Sequence, residues 1–135
     1  MTTTTRQSRH LGISIDRPAQ EVYDYVSDPV NVPRWAPGLA RSIELVDGRW
    51  VGESPMGRVV VGFTPRNDFG VLDHDVTLPS GETVHNPMRV LDDGPGCELV
   101  FTLRRQPWMS DEEFHRDAEA VTADLTALKR LMERS

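Results

Sequence analysis

The last quarter of the chain is one amphipathic segment whose length limits the folds available to the rest. Ser110 followed by Glu113 has the pattern of a helix capping box. Acidic residues follow in the first turn and basic residues stand near the end, as the helix dipole favours. Apolar residues recur at helical spacing: Phe114, Ala118, Val121, Leu125, Leu128 and Met132. The pattern predicts a helix of about 35 Å, long enough to cross a small sheet.

The chain before this segment is mostly strand-like. His10–Asp16 alternates apolar and polar residues, which is typical of a strand with one buried face. Residues 17–38 change to helical spacing, with breaks at Asp28-Pro29 and Pro37-Gly38, so two short helices are expected. Turn sequences then separate short alternating runs, which predicts a meander of antiparallel strands.

The predicted order of elements is one strand, two short helices, a series of antiparallel strands and the long helix. We therefore expect an α+β fold in which a curved antiparallel sheet of about six to seven strands wraps around the C-terminal helix. A sheet of that size and one helix do not fill the space between them. An internal cavity is thus expected.

The length of 135 residues suits a single domain with one core. Residues 1–8 are small and polar and lack the apolar stretch of a secretory signal, so we expect a disordered lead followed by one domain at 9–135. No apolar run approaches the roughly 18 residues of a membrane-spanning helix.

Charge and cysteine content exclude several classes of function. The formal net charge is −6, and no basic stripe is present, so neither nucleic acid nor an anionic membrane is an expected partner. Cys97 is the single cysteine, which excludes an intrachain disulfide and favours a cytoplasmic location. The sequence contains no phosphate-binding loop, nucleophile–base pair or metal-ligand spacing, so we expect no cofactor and no metal.

Three stretches of the chain resemble the START-like, or SRPBCC, superfamily. They are ISIDRPAQEVYDYVSDPVNVPRWAPG, the GVLDHDVTLPSGETV hairpin, and MSDEEFHRDAEAVTADLTALKRLME. The first is the most specific, because a strand leading into a Pro-Ala-initiated helix, then Ser-Asp-Pro and a Trp, is the usual opening of these proteins. The resemblance covers residues 8–134. It implies the helix-grip fold of Bet v 1-type and polyketide cyclase/dehydrase-like proteins, with a cavity for an apolar or aromatic molecule, but no catalytic residue.

The stretch GVLDHDVTL places Asp73, His74 and Asp75 side by side in a predicted strand. Neighbouring strand residues point to opposite faces, so the two aspartates are expected to face solvent. His74 is expected on the inner face with Leu72 and Val76. It is either a neutral buried histidine that is hydrogen-bonded, or a polar anchor or general acid/base in a ligand pocket.

Other inward positions complete the candidate site. Asn86 is expected on the neighbouring strand near His74, where the two either bond only each other or form a polar patch. Arg105 ends the inner row of the last strand and is either solvated or holds an anionic group at the pocket mouth. Trp35 is either pocket wall or core. The residues expected to contact a ligand are Trp35, Leu72, His74, Val76, Asn86, Met88, Phe101, Arg105, Phe114, Ala118 and Val121.

Three functions are compatible with these observations. The first is binding of a small apolar or aromatic molecule, polyketide- or lipid-like, in the internal cavity. The second is an aromatase/cyclase- or dehydratase-type enzyme with His74 as acid/base. The third is a protein-interaction module of the co-chaperone type. Either a monomer or a homodimer is compatible with the sequence.

Overall fold

The computed structural model describes residues 7–134, and its elements follow the predicted order. They are β1 (Ser8–Ile15), α1 (Ala19–Val26), a 3₁₀ turn (Pro29–Asn31), α2 (Val32–Trp35), β2 (Ser42–Val46), β3 (Arg49–Ser54), β4 (Gly57–Phe63), β5 (His74–Thr77), β6 (Thr83–Asn86), β7 (Met88–Asp93), β8 (Gly96–Arg104) and α3 (Asp111–Glu133). Most of the expected N-terminal lead lies outside the described residues. Strand β1 begins inside that lead, at Ser8, because Ser8 pairs with Arg104.

The strands pair antiparallel, which confirms the predicted sheet. One set has the order β1-β8-β7, and the other has the order β2-β3-β4-β5-β6. Successive strands from β2 to β6 pair as hairpins, as do β7 and β8, whereas β6 and β7 do not pair with each other and β1 pairs with β8 from the far end of the chain. With the long helix at the C-terminus and two short helices after β1, this is the helix-grip arrangement that the sequence predicted.

Pro87 divides a segment that the sequence predicted as one strand. Proline has no N–H to donate to a strand ladder, so β6 ends at Asn86 and β7 begins at Met88. The Pro87 carbonyl still accepts a hydrogen bond from the Thr102 N–H of β8, at 2.9 Å. This division accounts for eight strands where about six to seven were expected.

The segment before β5 joins the two sets of strands. The Gly70 carbonyl accepts a hydrogen bond from the Val90 N–H (3.0 Å), and the Leu72 N–H donates to the Met88 carbonyl (2.8 Å). The same stretch of chain thus pairs first with β7 and then, as β5, with β6. The strands change partner here, and the sheet bends around α3.

Helix α3 is capped at its N-terminus and bonded to the end of β1 near its C-terminus. The capping box is confirmed: Ser110 Oγ accepts from the Glu113 N–H, and Glu113 Oε1 accepts from the Ser110 N–H, each at 3.1 Å. Near the C-terminal end, Lys129 Nζ donates to the Ser14 carbonyl (2.7 Å), and Glu133 accepts from the Asp16 N–H (2.8 Å). The helix therefore lies along β1 with little freedom to shift.

Buried apolar side chains form two clusters. The larger one joins the three helices with β1, β7 and β8, and includes Val22, Trp35 and Leu128. The smaller one contains Val59, Val61 and Val76 on β4 and β5. The space between them is only partly filled.

Gly70→Ala is expected to destabilise the protein by about 3 kcal/mol or more. Gly70 has a φ of 69°, and an added Cβ would lie 2.4 Å from the Val90 carbonyl oxygen. Gly81→Ala is the matched control, because Gly81 has a φ of 93° but no atom within 4 Å of an added Cβ. It is expected to cost only about 1 kcal/mol. Equal losses in urea unfolding would contradict a structural role for the junction at residues 70–72.

Candidate functional site

A cavity of about 280 Å³ lies between the inner face of the sheet, α2 and α3. Most of its walls are apolar: Trp35, Ala36, Leu39, Met56, Val76, Leu78, Val84, Phe101, Leu103, Trp108, Met109, Ala120, Val121 and Leu125. A smaller group of polar side chains interrupts them: His74, Asn86, Arg104, Gln106, Asp117 and Asp124. Apolar walls with a few polar groups are typical of sites for small organic molecules.

The cavity brings together about half of the residues expected to contact a ligand. Those that line it are Trp35, His74, Val76, Asn86, Phe101 and Val121. The others lie elsewhere, for three different reasons.

Leu72 and Met88 lie in the core at the junction of the two sets of strands. They are 1% and 0% exposed, and a backbone hydrogen bond joins them. Their side chains point inward as predicted, but neighbouring core residues fill the space around them. Neither lines the cavity.

Phe114 and Ala118 face the core on α3 and not the cavity. The cavity-lining positions of the helix share only Val121 and Leu125 with this apolar stripe, and comprise Asp117, Ala120, Val121, Asp124 and Leu125. The rotation of α3 about its own axis decides which of its residues pack on β1 and which line the cavity. Such a rotation cannot be read from the apolar stripe alone.

Arg105 lies just after β8, where the strand alternation no longer applies. Its guanidinium donates to the Met109 carbonyl from Nε (3.1 Å) and Nη2 (2.9 Å), and it forms an ion pair with Asp111. These bonds hold the turn before α3. Arg104 lines the cavity in its place.

His74 lies in the sheet wall of the cavity between two aromatic rings. Its ring centroid is 4.9 Å from that of Phe63 and 5.9 Å from that of Phe101. Nδ1 is 3.1 Å from the Leu72 carbonyl oxygen and must donate to it, since a carbonyl only accepts. Burial lowers the pKa of His74, so the ring is neutral at pH 7, with its lone pair on Nε2.

Asn86 pairs directly opposite His74 across β5 and β6, as the distance from the turn predicted. The two side chains are independent, because His74 bonds the Leu72 backbone. Asn86 is half-buried and lines the cavity. Both groups therefore present polar atoms in the sheet wall.

The neighbouring aspartates face outward, as the pleat predicted. Asp73 accepts from the Met88 N–H (2.8 Å) and from the Arg89 guanidinium (3.2 Å). Asp75 contacts His85 Nδ1 at 2.6 Å. These groups stabilise the outer face of the sheet and take no part in the cavity.

Trp35 contributes an unpaired donor to the cavity wall. The residue is 2% exposed, and its indole Nε1 is a buried polar atom without a hydrogen-bond partner in the described residues. Buried donors are nearly always paired in folded proteins, because an unpaired one costs free energy. The wall of the cavity thus contains an unused hydrogen-bond donor that is itself buried.

Two carboxyl groups of α3 also line the cavity, and the sequence analysis did not select them. Burial raises the pKa of Asp117. Burial and the nearby Asp117 charge raise the pKa of Asp124 to about 6. Their spacing of seven residues places both on one helix face beside the apolar stripe. That spacing is the signal that could have identified them.

A family model described as polyketide cyclase / dehydrase and lipid transport matches residues 2–133. The chain belongs to this family. Membership confirms the resemblance to the SRPBCC superfamily that the sequence indicated. No curated protein sequence matches the chain significantly.

Solved structures share the fold of this family member at low sequence identity. A START superfamily protein from Mycobacterium smegmatis is 14% identical with a TM-score of 0.72, and the match covers 96% of this chain and 99% of that one. Ara h 8.0201 is 13% identical with a TM-score of 0.71, covering 97% and 100%. A norcoclaurine synthase point mutant from Thalictrum flavum is 14% identical with a TM-score of 0.65, covering 99% and 98%.

Two kinds of feature are absent from residues 7–134. No helix in that range is both long and apolar enough to cross a membrane. No group of three or more His, Cys, Asp or Glu side chains there is placed to hold a metal ion.

Asp124→Asn is expected to stabilise this family member by about 1–2 kcal/mol at neutral pH, a range that allows for solvent screening of a partly exposed carboxyl. The folded-state pKa of about 6 lies above the ordinary 3.8, so the wild type loses stability as pH rises through this window. Urea unfolding at about pH 3.5 and about pH 7.5 measures the difference. A gain of equal size at both pH values would contradict this origin.

Proposed function

We propose that the protein binds a small apolar or aromatic molecule in the cavity between the sheet and α3. The observation that carries the proposal is the apolar volume bounded by residues from both core clusters, such as Val76, Phe101 and Leu125. The cavity opens to solvent beside the exposed side chains of Met56 and Trp108. Its volume of about 280 Å³ lies near the lower end of the range for sites of small organic molecules.

The polar groups of the wall support the same proposal. His74 and Asn86 place polar side chains in the sheet wall, where they can orient a bound molecule. Phe101 and His74 add aromatic rings to the lining, which suits a flat aromatic group. The family description names lipid transport, and a norcoclaurine synthase of the same fold is solved with a transition state analogue. A polyketide- or lipid-like ligand suits these walls.

Binding is testable with the uncharged aromatic dye N-phenyl-1-naphthylamine, whose fluorescence rises in an apolar site. Ala120→Trp, on the cavity face of α3, is expected to weaken dye binding by at least about tenfold, because the indole occupies part of the volume. Ala123→Trp is the matched control, since Ala123 is exposed on the same helix outside the cavity lining.

Two results would contradict binding in the cavity. One is a wild-type protein that does not take up the dye. The other is equal affinity in the wild type, Ala120→Trp and Ala123→Trp.

Catalysis by His74 is the second candidate function, and the ring geometry favours it. The Leu72 carbonyl fixes the proton on Nδ1, which leaves Nε2 as a base in a largely apolar cavity. A neutral imidazole so oriented can remove a proton in a cyclisation or dehydration and return it later.

5-Nitrobenzisoxazole tests for such a base without knowledge of the substrate, because removal of its carbon-bound proton opens the ring to a coloured phenolate. The wild type is expected to accelerate ring opening, and His74→Gln to lose at least about tenfold of this rate while keeping dye affinity. Equal rates in the two proteins would exclude His74 as the base. Asp124→Asn identifies any contribution from that carboxylate.

A further inference from the structure

The helix wall of the cavity carries two carboxyl groups that the protein does not neutralise. Asp117 and Asp124 are both half-buried. Burial raises the pKa of Asp117. Burial and the Asp117 charge raise the pKa of Asp124. No cation or hydrogen-bond donor within residues 7–134 offsets either charge. Charged groups taken from water are normally paired, because unpaired burial costs free energy.

The remaining titratable groups of the cavity do not supply the missing positive charge. His74 is neutral at pH 7, because burial lowers its pKa. Arg104 is exposed at the end of β8, and its charge does not lower the pKa of either aspartate. At pH 7.5 Asp124, with a pKa of about 6, is mostly ionised, and Asp117 lies on the same lining.

We propose that the ligand is an aromatic or apolar molecule with a protonated amine, and that Asp117 and Asp124 hold the amine. This inference rests on the proposed binding function and narrows the class of ligand. An ammonium group makes short, strong hydrogen bonds to carboxylates, and the partly desolvated cavity strengthens them relative to water. The apolar body then lies towards Val76 and Phe101 on the opposite wall.

Trp35 also carries an unpaired polar atom. Its Nε1 donor is buried and without a partner in the described residues, and it comes from α2, not from the helix that carries the carboxylates. An ammonium group has no lone pair to accept from this donor, so the indole is independent of the amine assignment. The two carboxylates are the groups that a purely hydrocarbon ligand would leave without partners.

The same charges disfavour anionic ligands. A fatty-acid carboxylate in this cavity would lie near two groups of like charge, with the exposed Arg104 as the cation in the lining. Like charges at short range in a partly buried site raise the cost of binding. Among ligands of equal shape, the cavity is therefore expected to bind cations most tightly, neutral molecules less tightly and anions most weakly.

Displacement of bound N-phenyl-1-naphthylamine by three indoles of similar shape tests this order. They are tryptamine, indole-3-ethanol and indole-3-acetate, which carry an ammonium, a hydroxyl and a carboxylate group. At about pH 7.5 and low salt, tryptamine is expected to displace the dye at a concentration about tenfold below that of indole-3-ethanol, with indole-3-acetate the weakest.

The double variant Asp117→Asn/Asp124→Asn is expected to lose the preference for tryptamine, measured within that variant as the ratio of the displacing concentrations of tryptamine and indole-3-ethanol. Glu119→Gln is the matched control, because Glu119 is exposed on the same helix outside the cavity lining. It also removes one negative charge, so it reports any effect of net charge alone. It is expected to keep the wild-type order.

The outcomes separate this inference from the binding function. Equal displacement by tryptamine and indole-3-ethanol in the wild type, or no displacement by any indole, overturns the amine assignment and leaves dye binding intact. A preference that survives in the double variant overturns the role of the two aspartates. Failure of the wild type to bind the dye overturns the binding function itself.

Discussion

The change of partners at Pro87 is the constraint on which the cavity depends. A strand that continued unbroken from residue 82 to 93 would pair with the same neighbouring strand along its whole length, which would favour a flatter sheet. Pro87 removes one donor, and the segment at residues 70–72 pairs with β7 instead. The sheet can then curve around α3, whose C-terminal end is bonded to the end of β1. The space left under that curve is the candidate site.

The cavity contains polar groups that reduce the stability of the ligand-free protein. Trp35 buries an unpaired donor. Asp124 is ionised at neutral pH although its partly buried surroundings favour the neutral acid. His74 by contrast is satisfied by the backbone and stacked on aromatic rings. Groups that serve only the fold are usually paired in this way. The unpaired ones are therefore the better indicators of what the cavity holds.

Local signals made most of the fold predictable, and the lack of such signals explains what was missed. The capping box at Ser110 and the breaks around Pro29 and Pro37 define element ends through short-range hydrogen bonding and sterics. Alternation correctly assigned the two faces of β5. Helical spacing groups Asp117 with Asp124 on one face of α3. Which face of the helix lines the cavity depends on its packing on β1, distant in the chain, and spacing alone does not give that.

Helix α3 separates its structural positions from its cavity positions. Phe114, Ala118 and Leu128 pack in the core, whereas Asp117, Ala120, Val121 and Asp124 line the cavity; Leu125 belongs to both sets. Substitutions on the cavity face leave most of the core contacts of the helix intact. A gene encoding such a helix can diverge in ligand preference by single codon changes while the protein stays folded. That freedom is consistent with neighbours of 13–16% identity that share one fold.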